Sequence, residues 1–144
     1  MDFTIRLCEA ADAMGIWDLN REEMGYEFSP EETLENLRRL LDRETDRIFV
    51  AVASGTVVGY IHACDYDLLY APHMKNIMGI AVSARYKRRG IGRALLGAVE
   101  DWARETGAAG VRLVSGKTRT GAHAFYHCCG YTGEKEQLNL KKMF

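Results

Sequence analysis

The sequence predicts an α/β fold of α+β character, a central mixed sheet of about six to seven strands flanked by about four helices. Three observations carry this. The first half alternates β-branched runs with tight turns, which implies antiparallel pairing. The second half runs from an apolar strand through an amphipathic helix to another apolar strand, which implies a parallel crossover. At 144 residues, with 47% hydrophobic and 27% charged positions, the chain is long enough to bury its own core. The simplest organisation is one domain over residues 1–144.

The elements follow in order. Phe3 to Leu7 alternates apolar and polar residues and reads as a strand. Ala10 to Leu19 reads as a short helix with Met14, Ile16 and Trp17 on its apolar side. Arg21 to Phe28 is a looser, acidic and aromatic stretch. Ser29-Pro30-Glu31-Glu32 opens a second helix, with Ser29 as N-cap, Pro30 at the first helical position and Glu32 closing a capping box. Leu34, Leu37, Leu40 and Leu41 then form its buried stripe. Arg47 to Ser54 and Thr56 to Cys64 form a hairpin about Ser54-Gly55. Asp65 to Pro72 is a connection, and Lys75 to Ser83 a further strand. A helix from Gly90 to about Thr106 buries Ile91, Leu95, Ala98 and Trp102, and Gly107 ends it. Val111 to Ser115 is a short strand, Thr120 to Cys129 a helix stopped by Gly130, and Tyr131 to Met143 holds the closing strand or strands.

Charge and cysteine usage exclude several classes. Nineteen basic and 20 acidic residues leave a formal net charge of -1, so a whole-surface attraction to nucleic acid is not expected and any basic site is local. No apolar run approaches the ~20 residues a spanning helix needs, and the N-terminus does not open a signal peptide, so no membrane association and a cytoplasmic location are expected. Cys8, Cys64, Cys128 and Cys129 lack metal or redox spacing and read as reduced thiols. His123 and His127 lie one helical turn apart without a third ligand at a fitting spacing, so no metal site is assigned.

One stretch, Asn76 to Leu96, organises the rest. An apolar strand runs into Lys87, Arg88 and Arg89, then Gly90-Ile91-Gly92-Arg93, and then a helix. Glycines at a helix start let backbone approach a ligand, and the unpaired N–H groups and helix dipole favour an anion. Leu95 stands where a dinucleotide fold needs a third small residue, and no Gly-Lys-Ser/Thr triplet exists, so neither phosphate fingerprint fits.

Tyr86 to Leu96 resembles the acetyl-CoA signature of the GCN5-related N-acetyltransferases, Q/R-x-x-G-x-G/A. Ala122-His123-Ala124-Phe125-Tyr126, followed by Gly130-Tyr131, is similar to that family's A-x-x-F-Y…G-F segment, and the resemblance covers essentially the whole chain. It implies a GNAT-like acyl-CoA N-acyltransferase fold and transfer of an acetyl group from acetyl-CoA to a primary amine of a small molecule or peptide. Backbone of Ile80, Ala81 and Val82 would pair with the pantetheine arm. Backbone amides of Arg88, Arg89, Gly90, Ile91, Gly92 and Arg93 would hold the pyrophosphate, with Lys87 as a further cofactor-binding position. Arg119 and Ala122 would complete the cofactor site, and Tyr126 would protonate the departing thiolate. Lys87 replaces the preferred Arg or Gln, and Arg119 the Asn of many members.

The general base is open. Relatives carry a carboxylate on the fourth strand, where this chain has Met78 and Gly79. His62, Asp65, His73 and Glu27 are the candidates elsewhere, and a bound water chain or direct deprotonation of the substrate could also suffice. The amine would meet the first two helices and the connection after the third strand, where Glu22, Glu23, Tyr26, Glu27, Asp65, Tyr66 and Asp67 mix acids with aromatics. A non-catalytic CoA-binding sensor or interaction module of the same fold is the alternative, and a homodimer through the C-terminal strands is compatible with either.

Overall fold

β-Branched and aromatic residues concentrate between Ile48 and Ile61, and there the strands pair antiparallel. The computed structural model describes residues 2–133 and 135–144 and divides into two units, Met1–Leu113 and Val114–Phe144. In the first unit β1 (Thr4–Leu7), β2 (Asp46–Ala53), β3 (Thr56–Leu68) and β4 (Ala71–Val82) pair in sequence order, and β5 (Val111–Leu113) adds in parallel to β4. Ser54 and Gly55 both take left-handed φ, 50° and 75°, the twist a two-residue β2–β3 turn requires.

Helices cover both faces of this sheet. α1 (Ala13–Met24), entered through a 3-10 turn at Ala10–Asp12, packs with α2 (Pro30–Leu41) on one face. Their layer joins Ala13, Ile16 and Leu37 to Ile48 and Val50, with Leu34, Leu40, Val52, Val57 and Tyr60 at its margin. α3 (Ile91–Glu105) lies on the other face and buries Ile91, Leu95, Leu96, Val99 and Trp102, the helical stripe expected. Gly59 permits its close approach: a Cβ there would lie 3.1 Å from Ile91 Cγ2 and 3.3 Å from Leu95 Cδ1.

Beneath Trp102 lies a buried cation. Lys75 is 2% exposed; its Nζ bonds to Asp65 and sits 4.0 Å from the Trp102 ring centroid. The ammonium is held by charge pairing and the indole face together.

Several expectations need correction. The first helix runs five residues past Leu19, to Met24, where Gly25 ends it at φ 70° with its N–H on the Asn20 carbonyl. Asp65 to Pro72 is mostly strand: β3 and β4 form a long hairpin that outruns β2, with register shifts at His62/Ala63 and Tyr66/Leu68. The cap of α2 is half of a box. Ser29 Oγ accepts from the Glu32 N–H at 3.0 Å, but its own hydroxyl donates to Glu31 rather than Glu32 reaching back.

The second unit holds α4 (Thr120–Cys128), stopped by Gly130 at φ 92°. Among the described residues no strand occurs between Tyr131 and Met143, so the sheet has five strands rather than six to seven. Glu134 within that stretch lies outside the described residues. Leu138, Leu140, Met143 and Phe144 are exposed there, without the burial an internal strand would give them.

Candidate active site

Two features of β4 build a site. On one edge it pairs with β3 to Val82, but on the other β5 meets it only at Lys75, Asn76 and Ile77. From Met78 to Val82 that outer edge has no strand partner among the described residues. The pairing with β3 shifts at the same place: Ala63 pairs Ile77 and His62 pairs Gly79, which leaves Met78 as an extra residue. A splayed sheet with an open row of N–H and C=O groups accepts an extended ligand as an added strand. Ile80, Ala81 and Val82 lie on this open edge.

The open edge leads into the cationic loop. After Val82 the chain makes a 3-10 turn at Ala84–Tyr86, held by the Ala84 N–H on Glu23 Oε2 at 3.0 Å. Lys87 is extended, Arg88 is left-handed at φ 64°, and Gly90 caps α3 at φ 84°. A non-glycine residue in that conformation is strained, and strain of this kind collects at ligand clamps. No side chain caps α3, so its first N–H groups face outward beside Lys87, Arg88, Arg89 and Arg93, all exposed. Arg89 also lies 5.1 Å from the Tyr86 ring. Ile91 is the buried anchor of the turn, and Gly92 keeps it slim. Left-handed loop, uncapped amides and four cations are the features that anion-binding helix starts share.

On the α1/α2 face a cleft of about 530 Å³ is lined by Trp17, Asn20, Gly25, Tyr26, Glu27, Phe28 and Thr33. Its lining residue Asn20 accepts at Oδ1 from the hydroxyl of Tyr60, on β3, at 2.6 Å. A Cβ on Gly79 would lie 3.3 Å from that same hydroxyl, so a bare glycine leaves the ground between cleft and bulge clear. Burial holds the Tyr60 phenol above its usual range, against the opposing effect of Asn20.

The expected acceptor residues separate here. Tyr26 and Glu27 line the cleft; Glu22 pairs with Arg21 at 3.5 Å, and Glu23 is engaged by Ala84. Asp65 holds Lys75, Asp67 holds His73 Nδ1 at 2.7 Å, and Arg112 lies 4.2 Å over the Tyr66 ring. Met78 and Gly79 stand at the bulge without a carboxylate, as the sequence shows.

Arg119, Ala122 and Tyr126 belong to the second unit. Arg119 precedes α4 and is exposed, Ala122 is half-buried, and Tyr126 is buried, with its ring 5.3 Å from Phe125 and 6.3 Å from Tyr131. Burial raises the Tyr126 phenol, and the positive Arg119 partly offsets it. His123 Nε2 bonds to the Gly116 carbonyl at 2.8 Å. Two contributors escape a sequence reading. Asp46, on β2, binds His62 Nε2 at 2.7 Å, a contact that only strand register creates. In the second unit, Ser115 keeps a buried Oγ with no partner among the described residues.

The sequence pattern of the Acetyltransferase (GNAT) family matches residues 13–131. No curated protein sequence matches significantly. Among solved structures, a transcriptional regulator from Bacillus halodurans is 19% identical over 98% of this chain and 100% of its own, with a TM-score of 0.88. AAC(6')-Iy, in complex with the bisubstrate analog CoA-S-monomethyl-acetylneamine, is 17% identical over 100% of both chains, with a TM-score of 0.88. An aminoglycoside acetyltransferase from an uncultured soil metagenomic sample, in complex with sisomicin, is 20% identical over 99% and 96%, with a TM-score of 0.83. At these identities the likeness is one of fold.

Proposed function

The chain belongs to the GNAT acetyltransferase family, and on that premise we propose that it moves the acetyl group of acetyl-CoA directly to a primary amine. The observation that carries this reading is the continuous path from the open edge of β4 into the left-handed, cationic start of α3. Backbone of Ile80, Ala81 and Val82 takes the pantetheine arm as a strand. The loop from Lys87 through Arg88, Arg89, Gly90, Ile91 and Gly92 to Arg93 holds the pyrophosphate. Arg119 and Ala122 contribute to the cofactor site, and Tyr126 protonates the departing thiolate. A phenol raised by burial is a weaker acid than the thiol it forms, so it donates as the C–S bond breaks, the amide formed makes the overall step favourable, and it regains its proton from solvent.

The amine belongs in the cleft of α1 and α2. Glu27 offers charge, and Trp17, Tyr26 and Phe28 offer aromatic faces, a combination suited to a cationic small molecule. The aminoglycoside acetyltransferases among the structural neighbours support that class. Calorimetry with acetyl-CoA tests the cofactor half, and absence of heat at millimolar cofactor sinks it. An acetylation screen over aminoglycosides, polyamines, amino acids and peptide N-termini tests the acceptor half. Tyr126→Phe lowers turnover about 10- to 100-fold with cofactor affinity nearly intact; an unchanged rate removes Tyr126 from the reaction.

The bare positions Met78 and Gly79 favour a second reading, a CoA-binding sensor that keeps the fold without transfer. Binding of acetyl-CoA with no thiol release across the whole amine screen would select it. The exposed apolar residues Leu138, Leu140, Met143 and Phe144 support association of two copies through the C-terminal segment. Light scattering of the full chain, and of a chain ending at residue 134, tests this, with a concentration-independent monomeric mass as the refuting result.

A further inference from the structure

The acetyl transfer proposed above needs a group to take a proton from the incoming ammonium, and the bulge of β4 supplies no acid. We propose that His62, held by Asp46, is that proton acceptor, and that the bare Gly79 opposite it is where the thioester carbonyl meets the amine. The inference rests on the transfer reading.

Position comes first. His62 is the Cα partner of Gly79 at the register shift, the point from which β4 runs with an open outer edge. It is two residues from Tyr60 along β3 with no irregularity between them, so its ring projects to the same face, toward α1 and the cleft. The ring is 16% exposed, enough to be reached.

Orientation comes second. Nε2 contacts Asp46 Oδ2 at 2.7 Å, and that carboxylate is 6% exposed, with its other oxygen taking the Thr45 hydroxyl at 2.8 Å. A buried carboxylate on Nε2 selects the tautomer with its proton there. Nδ1 then carries the free lone pair, and none of the described hydrogen bonds uses it.

The other candidates are committed. Asp65 is paired with Lys75. His73 spends Nδ1 on Asp67 and places Nε2 3.2 Å from Lys75 Nζ. Glu27 lines the cleft, where its charge suits holding the ammonium.

The step balances as follows. The amine arrives as an ammonium ion, and His62 Nδ1 removes one proton. The freed nitrogen pair forms the C–N bond to the thioester carbon. As the C–S bond breaks, the nitrogen loses a second proton and the thiolate gains one. The products are an amide, CoA thiol and one proton, which His62 returns to water.

The test has two readouts on the full chain. Diethyl pyrocarbonate labelling, mapped by mass spectrometry at each histidine, is run with and without acetyl-CoA. Protection of His62 by tenfold or more, with His73 unchanged, is expected; equal labelling overturns the proposal. This readout needs no acceptor, so it decides the place of His62 even if no amine is acetylated and the transfer reading fails. CoA release is then followed with sisomicin and spermidine. His62→Gln lowers it 100-fold or more while acetyl-CoA affinity stays within about twofold, and added imidazole restores part of the rate to His62→Gly. Asp46→Asn, acting through the ring it positions, lowers kcat about tenfold with KM unchanged. A His62→Gln enzyme at full rate overturns the proposal.

Discussion

Removing either partner of the Lys75–Asp65 pair costs unequal amounts, and burial says which costs more. The Lys75 side chain is 2% exposed and the Asp65 side chain 28%. Asp65→Asn removes the countercharge and leaves the buried ammonium a neutral amide oxygen, the Trp102 face at 4.0 Å and His73 Nε2 at 3.2 Å to compensate. An uncompensated buried charge costs about 3–5 kcal/mol, and the indole offsets up to ~2, so a loss of about 1–3 kcal/mol is expected. Lys75→Met instead leaves a carboxylate that water still reaches, and methionine refills the slot beside Trp102 with apolar contact. Its cost is about 1 kcal/mol or less. Urea unfolding followed by circular dichroism at pH 7 reads both, with the double variant closing the cycle near the Lys75→Met value. At roughly 3 °C per kcal/mol for a chain of this size, Asp65→Asn lowers Tm by about 3–9 °C. A Lys75→Met loss equal to or greater than that of Asp65→Asn would refute the reasoning, because the cation would then be worth more than its desolvation costs.

Three further outcomes follow from the same geometry. Gly90→Ala puts a Cβ at φ 84°, where nothing lies within 4 Å; its cost of roughly 1 kcal/mol is conformational, and calorimetry should show acetyl-CoA bound several-fold more weakly. Asp12 accepts two bonds from Arg6 at 2.8 Å and one from the Glu9 N–H at 2.8 Å, and Arg6 above all holds its carboxyl below the usual range. That stability is complete above the unfolded value near ~3.9 and is lost as pH falls through the lower folded value. Asp12→Asn should therefore cost about 2 kcal/mol or less in thermal melts at pH 7, Arg6 being partly exposed, and progressively less as pH falls below ~3.9. Ser29→Ala removes the single side-chain cap of α2 and should cost about 1 kcal/mol in urea titrations, with activity unchanged.

Local chemistry made much of this chain legible in one dimension. Ser29-Pro30 starts α2 because capping and a fixed proline φ act within a turn. The stripe Ile91, Leu95, Trp102 declares α3 because a helix repeats every 3.6 residues. Lys87 to Arg93 reads as an anion loop because cations, glycines and a helix start are consecutive in sequence. What lay beyond sequence reading depends on register or on contact between distant segments. The extension of β3 and β4 through Asp65–Pro72 is set by cross-strand pairing, which polar residues at an exposed hairpin accept as readily as a loop. The C-terminal segment has strand-like alternation at Leu138 and Leu140, but alternation makes a strand only where an edge is there to pair with it.

The sequence by itself determined the fold class and the family, since the cationic, glycine-rich helix start and the later A-x-x-F-Y segment are written in consecutive residues. Tertiary structure alone decided how His62, Asp46 and Gly79 come together. Asp46 is 16 residues from His62, and Gly79 is 17 residues beyond it; no periodicity links the three. A one-residue shift in strand register would turn His62 to the opposite face of the sheet. The bulge at Met78 and the burial of Asp46 set the direction in which that imidazole can accept a proton.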